Sequence, residues 1–191
     1  LFTILAIKFK KFIRKNSTWL YIAVTIISIL AFVFPSFPVF VPIQKGAIGI
    51  SLFFVVMFAG AFKSKSKLRL TLLSIRKEYS ILGFIFIAPH ATKRVLDFFG
   101  GEIDLPLYGV ITFAIMIPLF ITSFTIIKRK FSFKIWKNLQ RFAYGSYLLL
   151  FIHVIIQSDM PNLIVYILVF VVYGVLKLLY VVRNTKKDDL K

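Results

Sequence analysis

The sequence predicts an all-α integral membrane protein, a bundle of six transmembrane helices with both termini in the cytoplasm. Three observations carry this prediction: 59% of the 191 residues are hydrophobic, apolar runs recur along the chain, and most basic residues lie between those runs. Only 17% of the residues are charged, whereas a soluble domain carries about 25%. We expect a multi-pass protein of the cell membrane, built from helices because a helix satisfies its own backbone polar groups in lipid.

Six apolar runs are long enough to cross the bilayer, whose hydrocarbon core of about 30 Å takes about 17–25 helical residues. In chain order, the predicted spans are Thr18–Phe34, Gly46–Phe62, Ser74–Ala91, Pro106–Ile127, Ile135–Gln157 and Leu163–Val182. Pro35 ends the first span, and Gly100 and Gly101 follow the third. Asp104 is a capping candidate before the fourth span, and a short turn at Pro161 joins the fifth to the sixth.

The predicted organisation has three parts: a basic amphipathic arm, residues 1–17, a six-helix domain, residues 18–182, and a short cytoplasmic tail, residues 183–191. We expect the first span to be retained rather than cleaved as a signal peptide, because no small-residue cleavage site follows Phe34. Of the 25 basic residues, all but Lys45, Lys93 and Arg94 fall on the side of the two termini. The positive-inside rule therefore places both termini in the cytoplasm.

Charge and composition exclude several function classes. The formal net charge of +18 would suit nucleic-acid binding. Because the basic residues flank membrane spans, we expect them to contact membrane lipid and expect no nucleic-acid partner. The chain has no Cys, which excludes disulfides, thiolate catalysis and iron–sulfur clusters. The chain has only 7 acidic residues. Few carboxylates are therefore present for paired-carboxylate catalysis or for metal sites made of oxygen ligands.

The only two histidines, His90 and His153, both fall inside predicted spans, where polar groups are costly and therefore informative. At 1.5 Å per residue they lie about 21 and about 24 Å from the cytoplasmic ends of their helices. Two imidazoles at matched depth can ligate one metal from opposite sides, and two axial ligands of a haem iron fit better than a four-ligand zinc site. The alternative is that each histidine bonds a neighbouring backbone or faces the outer interface.

Two segments around these histidines carry a family resemblance. Arg76 and Lys77 open the third span, and His90 follows ten residues after Tyr79-Ser80. In the fifth span, the segment Trp136-Lys137-Asn138-Leu139-Gln140-Arg141-Phe142-Ala143-Tyr144 leads to His153. These segments resemble the ferric reductase-like transmembrane family, and within it the haem-binding membrane subunits of periplasmic methionine sulfoxide reductase systems. The likeness covers about residues 40–157.

The resemblance implies one haem b, with His90 and His153 as its axial ligands. Two-haem members of the family carry a second, inner histidine on each of these helices. The inner positions here hold Arg76 and Gln140, which are not axial ligands, so a single haem is expected. An iron with two histidine ligands has no open position, which favours one-electron transfer over direct oxygen binding.

Three further residues are candidates for cofactor binding. Gly83 would let a porphyrin approach the helix backbone, with close helix–helix packing as the alternative. Lys93 and Arg94 follow His90 on the outer side, which has few basic residues, and are candidates to pair with haem propionates.

The expected function is that of a transmembrane haem oxidoreductase or its electron-transfer subunit. The sequence has no glycine-rich dinucleotide loop. Electrons are therefore expected from quinol, which makes quinone a further candidate cofactor, or from a separate flavin-containing donor. The expected acceptor is extracytoplasmic: a partner reductase, a flavin or ferric iron. The alternative is a non-catalytic six-helix accessory or assembly subunit without haem. Imidazole nitrogens about 4 Å apart would favour haem, whereas histidines that point into lipid would favour the accessory subunit.

Overall fold

The computed structural model describes residues 10–62, 66–104 and 106–188, with the side chains of residues 161 and 183–188 left out. Every regular element in these ranges is helical, which confirms the all-α prediction. The α-helices in chain order are α1 (Ser17–Val33), α2 (Val41–Gln44), α3 (Ala47–Phe58), α4 (Lys67–Phe99), α5 (Leu107–Ile121), α6 (Thr125–Lys128), α7 (Phe133–Gln157) and α8 (Met160–Asp188). A 3₁₀ turn at Pro38–Phe40 leads into α2, and residues 10–15 of the predicted arm are also helical.

Parts of the sequence-based predictions lie outside the described residues. These parts are the first nine residues of the basic arm, residues 63–65 of the loop before α4, Leu105, and residues 189–191 of the tail. The described part of the predicted tail continues α8 as far as Asp188.

Fewer helices than the six predicted spans meet a strict length and hydropathy test. Two helices in the described ranges are long and apolar enough to cross a membrane: Phe133–Gln157 and Asn162–Val182. The mean hydropathy of their 18-residue apolar stretches is 1.4 and 2.4, respectively. Pro38–Gln44 and Ala47–Phe58 form a third candidate if they count as one span bent by 46°. The chain is therefore an α-helical protein with two or three membrane-crossing candidates.

The helices at the other predicted spans are not among these candidates, for two physical reasons. Helices α1 and α5 are apolar but have only 17 and 15 residues, at and below the lower limit of the range of about 17–25 that crosses a bilayer. Helix α4 has 33 residues, but charged residues stand on both sides of its apolar part. The predicted third span, Ser74–Ala91, is therefore the apolar centre of a much longer helix.

Two predicted helix junctions were placed wrongly. Pro106, not Asp104, caps α5, and no side chain bonds the first turn of that helix. Pro161 lies in the first turn of α8 rather than in a connecting turn, a position where proline fits because its missing N–H would have no helical partner. Side-chain caps instead form at Ser66 and Ser132, whose hydroxyls accept from the backbone N–H of Arg69 and Ile135 at 3.2 and 3.4 Å.

Helix α4 is the centre of the packing. Helices α3 and α1 lie along it, and α5 pairs with α7. Gly49 and Gly83 bring α3 and α4 together, because a Cβ on Gly49 would come within 3.0 Å of the Gly83 carbonyl oxygen. A buried apolar cluster then joins α3, α4, α5 and α7; its members include Ile50, Phe53, Ile87, Met116, Leu150 and Val154.

Helix α8 packs mainly against α7 and otherwise carries its apolar side chains on the surface. None of the residues in its most apolar stretch is buried by the rest of the chain, although the mean hydropathy of that stretch is 2.4. Such a surface is costly in water. Helix α8 thus has the composition and the exposure of a helix that contacts lipid.

Candidate functional site

The structure places the two histidines next to each other. His90 from α4 and His153 from α7 have ring centroids 6.5 Å apart, with their planes inclined at 63°. Both side chains are half-buried. The sequence predicts similar depths for the two histidines, and in the fold their rings lie side by side.

A hydrogen bond orients the ring of His90. Its Nδ1 lies 2.7 Å from the backbone carbonyl oxygen of Gln44. A carbonyl can only accept, so Nδ1 carries the proton and Nε2 keeps its lone pair. Histidines that bind metals commonly donate their other ring N–H to a backbone carbonyl in this way.

Gln44 is itself fixed by its side chain. Its amide nitrogen donates to the carbonyl of Ala31 at 3.0 Å and to the carbonyl of Pro35 at 2.9 Å. These two carbonyls lie at and beyond the end of α1, so Gln44 ties that end of the helix to the segment that holds His90. Sequence reasoning missed this residue, although Gln44 is the one amide side chain between residues 17 and 62.

Each histidine ring also packs against a glycine. A Cβ on Gly109 of α5 would lie 2.7 Å from Cε1 and 3.0 Å from Nδ1 of His153. A Cβ on Gly46, which joins α2 to α3, would lie 3.3 Å from Cγ of His90 and 2.8 Å from Cδ1 of Ile87. Gly46 also has a φ of +73°, a conformation that favours glycine. Both glycines were missed because their role depends on which helices meet.

The two rings stand between a polar cavity and an apolar one. The polar cavity has a volume of about 730 Å³, and its wall includes the charged residues Lys45, Arg94, Asp104 and Asp159. The apolar cavity, of about 80 Å³, lies among side chains such as Ile50, Phe113 and Leu150. His90, His153 and Arg94 line both. Each imidazole therefore faces apolar side chains in one cavity and charged side chains in the other.

The other predicted cofactor-binding residues lie in three different settings. Arg94 lines the histidine cavities. Lys93 forms an ion pair of 2.8 Å with Asp97 one turn further along α4. Gly83 packs against Gly49, Leu52 and Phe53 of α3, the close helix–helix contact that the sequence left open as the alternative.

The distance between the two imidazole rings is close to the distance that two ligands of one iron require. A metal–imidazole bond is about 2 Å long and the ring nitrogen lies about 1 Å from the ring centre, so two imidazoles on opposite sides of one iron have centroids about 6 Å apart. The observed separation is 6.5 Å. Within the described residues, no group of three or more His, Cys, Asp or Glu side chains could hold a metal ion.

Comparisons with known proteins add little to this geometry. No family model matches the chain, and no solved structure matches it. An uncharacterized protein of Treponema pallidum (strain Nichols) is 25% identical over 158 residues, which cover 73% of this chain and 44% of that protein. The chain therefore spans less than half the length of this relative. The ferric reductase-like resemblance stays a prediction from the two motifs.

Proposed function

We propose that the chain is a membrane haem b electron-transfer protein that takes electrons from quinol or a partner reductase and delivers them to an extracytoplasmic acceptor. The observation that carries the proposal is the 6.5 Å separation of the His90 and His153 rings, which come from two different helices. His90 and His153 would hold the haem, which would supply reversible one-electron transfer when bound. The acceptor is expected to be a partner reductase, a flavin or ferric iron.

The chain's own residues divide the remaining tasks. The Gln44 carbonyl keeps Nδ1 of His90 protonated, which directs the lone pair of Nε2 away from Gln44. Arg94 lines both histidine cavities and supplies positive charge for the carboxylates of a porphyrin. Gly109 leaves space for the ring of His153. Apolar residues around the smaller cavity exclude water from one side of the rings.

The proposal includes six membrane crossings with both termini in the cytoplasm. The crossings are α1, the bent pair α2–α3, α4, α5, α7 and α8. The exposed apolar surface of α8 and the distribution of basic residues support this topology. The histidines then lie in the outer half of the membrane, which is why the acceptor is placed outside the cytoplasm.

A second candidate function is that of an accessory or assembly subunit without haem. One observation favours it: the hydrogen bond between His90 and Gln44 satisfies a buried polar group without any ligand. The two candidates differ in optical absorption. A haem protein has a Soret band and a reduced-minus-oxidised difference spectrum, whereas an accessory subunit has neither.

The test is spectroscopy of the full chain purified from cells supplied with haem. We expect a Soret band for the wild-type protein and its loss in His90→Ala and His153→Ala. Gln157→Ala is the matched control, because this exposed polar residue lines the same cavity without being an imidazole. A folded wild-type protein without a Soret band would refute the haem proposal and leave the accessory subunit.

A further inference from the structure

Among the described residues that line a second large cavity, neither histidine is present. The volume of this cavity is about 420 Å³, and residues of α3, α4, α5, α6 and α7 line it. Gln140 in its wall precedes His153 on α7 by thirteen residues, which is about 20 Å along the helix. Gln140 is therefore far from the histidine pair, although Phe53 and Met116 line both this cavity and the apolar histidine cavity.

Three cationic side chains line this basic cavity: Arg76, Lys77 and Lys128. No Asp or Glu side chain lines it. Among the described residues, the one ion pair is Lys93–Asp97, near the histidines. The cluster of positive charge is thus not neutralised by any carboxylate that the structure describes.

Neutral groups hold the two lysines in place. Lys77 Nζ donates to the hydroxyl of Thr125 at 2.9 Å. Lys128 Nζ lies 3.9 Å from the centroid of the Trp136 ring, and that ring donates through Nε1 to the carbonyl of Thr122 at 3.2 Å. These contacts position the ammonium groups but leave their charges uncompensated, because a hydroxyl and an aromatic face carry no net charge.

Much of the remaining lining of the basic cavity is apolar. Phe84 and Phe120 stack there with centroids 4.2 Å apart, beside Met116 and Leu119. The lining therefore offers cationic groups that suit an anion and apolar side chains that suit hydrocarbon. An amphiphile with a negatively charged headgroup has this distribution.

We propose that the basic cavity binds the phosphate-ester headgroup of an anionic amphiphile, with its apolar chain against Phe84 and Phe120. Guanidinium and ammonium groups form short charge-assisted hydrogen bonds with phosphate oxygens. The hydroxyls of Ser80 and Ser123 add neutral donors. A quinone headgroup is uncharged and would leave three cations without a counter-ion. The proposal is independent of haem binding at the histidines.

The experiment uses the full chain reconstituted in nanodiscs of phosphatidylcholine, alone or with phosphatidylglycerol at about one part in five. Lipid that stays bound after extraction into detergent is measured by native mass spectrometry. We expect the wild-type protein to retain phosphatidylglycerol, and the double variant Arg76→Gln, Lys128→Gln to lower its occupancy at least about tenfold. The control double variant Lys130→Gln, Arg141→Gln removes equal charge from exposed residues outside the cavity and is expected to retain the lipid.

A second arm adds inorganic phosphate. Retention of phosphatidylglycerol at excess phosphate identifies a lipid headgroup, whereas phosphate binding that depends on Arg76 and Lys128 identifies a free anion in the same site. Equal loss in the control variant would overturn the proposal, as would binding of neither probe by the wild-type protein. Retention of a neutral quinone in phosphate-free detergent, unaffected by the double variant, would also overturn it.

A cavity-filling variant keeps the test decisive if the charge variant does not fold. Ser80→Phe leaves all three cations in place and fills the cavity, so it must lower phosphatidylglycerol occupancy to the same extent. Folding is followed by helical circular dichroism and by size-exclusion chromatography, which do not depend on either ligand. A folded Ser80→Phe protein that retains phosphatidylglycerol normally would overturn the proposal.

Discussion

His153 lies directly against Gly109, so closely that a single methyl group on that glycine would come within 2.7 Å of the ring. The imidazole can therefore occupy this position only because residue 109 of the neighbouring helix is a glycine, which has no Cβ. His90 is similarly close to Gly46, where an added Cβ would lie 3.3 Å from Cγ of the ring. Substitutions at these glycines test the site without touching either histidine.

Gly109→Ala is expected to displace His153, because real Cβ atoms do not approach other heavy atoms as closely as 2.7 Å. We expect this variant to lose about 1–3 kcal/mol of stability, the usual cost of overpacking. Thermal unfolding in detergent, followed by circular dichroism, measures the change. The control is Gly145→Ala on α7, where a Cβ would meet nothing within 4 Å. That variant should be neutral or gain up to about 1 kcal/mol.

Gly46→Ala combines backbone strain with a contact. Its φ of +73° nearly equals the +74° of Gly101, where a Cβ would meet nothing within 4 Å. Gly101→Ala therefore measures the strain alone, about 1–2 kcal/mol. We expect Gly46→Ala to lower the unfolding midpoint further, because its Cβ would also press on Ile87 and His90. Equal effects of the two substitutions would contradict a packing role for Gly46.

Gln44→Leu is expected to destabilise the protein by about 1–3 kcal/mol, because the carbonyls of Ala31 and Pro35 lose their amide donor. The backbone carbonyl that binds His90 remains, so the tautomer of that ring should persist. The comparison is Gln157→Leu at an exposed position, expected to change stability by less than about 0.5 kcal/mol. Unfolding midpoints that fall equally in both variants would show that the Gln44 bonds are not stabilising.

Glu78 on α4 is expected to cost stability rather than provide it. Its side chain is 8% exposed, and its Oε2 is buried without a hydrogen-bond partner among the described residues. Glu78→Met keeps the length and removes the unsatisfied oxygen, so the protein should gain about 1–3 kcal/mol. Glu102→Met at an exposed position is the control. A loss of stability in Glu78→Met would instead indicate that the carboxylate has a partner in the membrane-embedded protein.

The helices and the meeting of the histidines follow from simple regularities in the sequence. Because the helical rise is constant, distance along the chain predicts similar depths for His90 and His153, and the two rings lie side by side in the fold. Hydropathy detects apolar length only, so it predicts Ser74–Ala91 but not the polar extensions that make Lys67–Phe99 one helix.

The supporting parts of the site could not be predicted in the same way. The contacts of Gln44, Gly46 and Gly109 depend on which helices pack against one another. The hydrophobic periodicity of the sequence does not specify these helix pairs. Gly83 illustrates the limit: the sequence allowed either cofactor approach or close packing, and its neighbours in the fold are Gly49 and Leu52.

The hydrogen bond between His90 and Gln44 joins two residues that are both synthesised before His153. His153 follows His90 by about 60 residues, and at about 5–20 residues per second it is synthesised several seconds later. The first half of the site can therefore be arranged on the nascent chain while the second is still being translated. A ligand that needs both imidazoles can be captured only after α7 has been made, which makes its incorporation a late step of biogenesis.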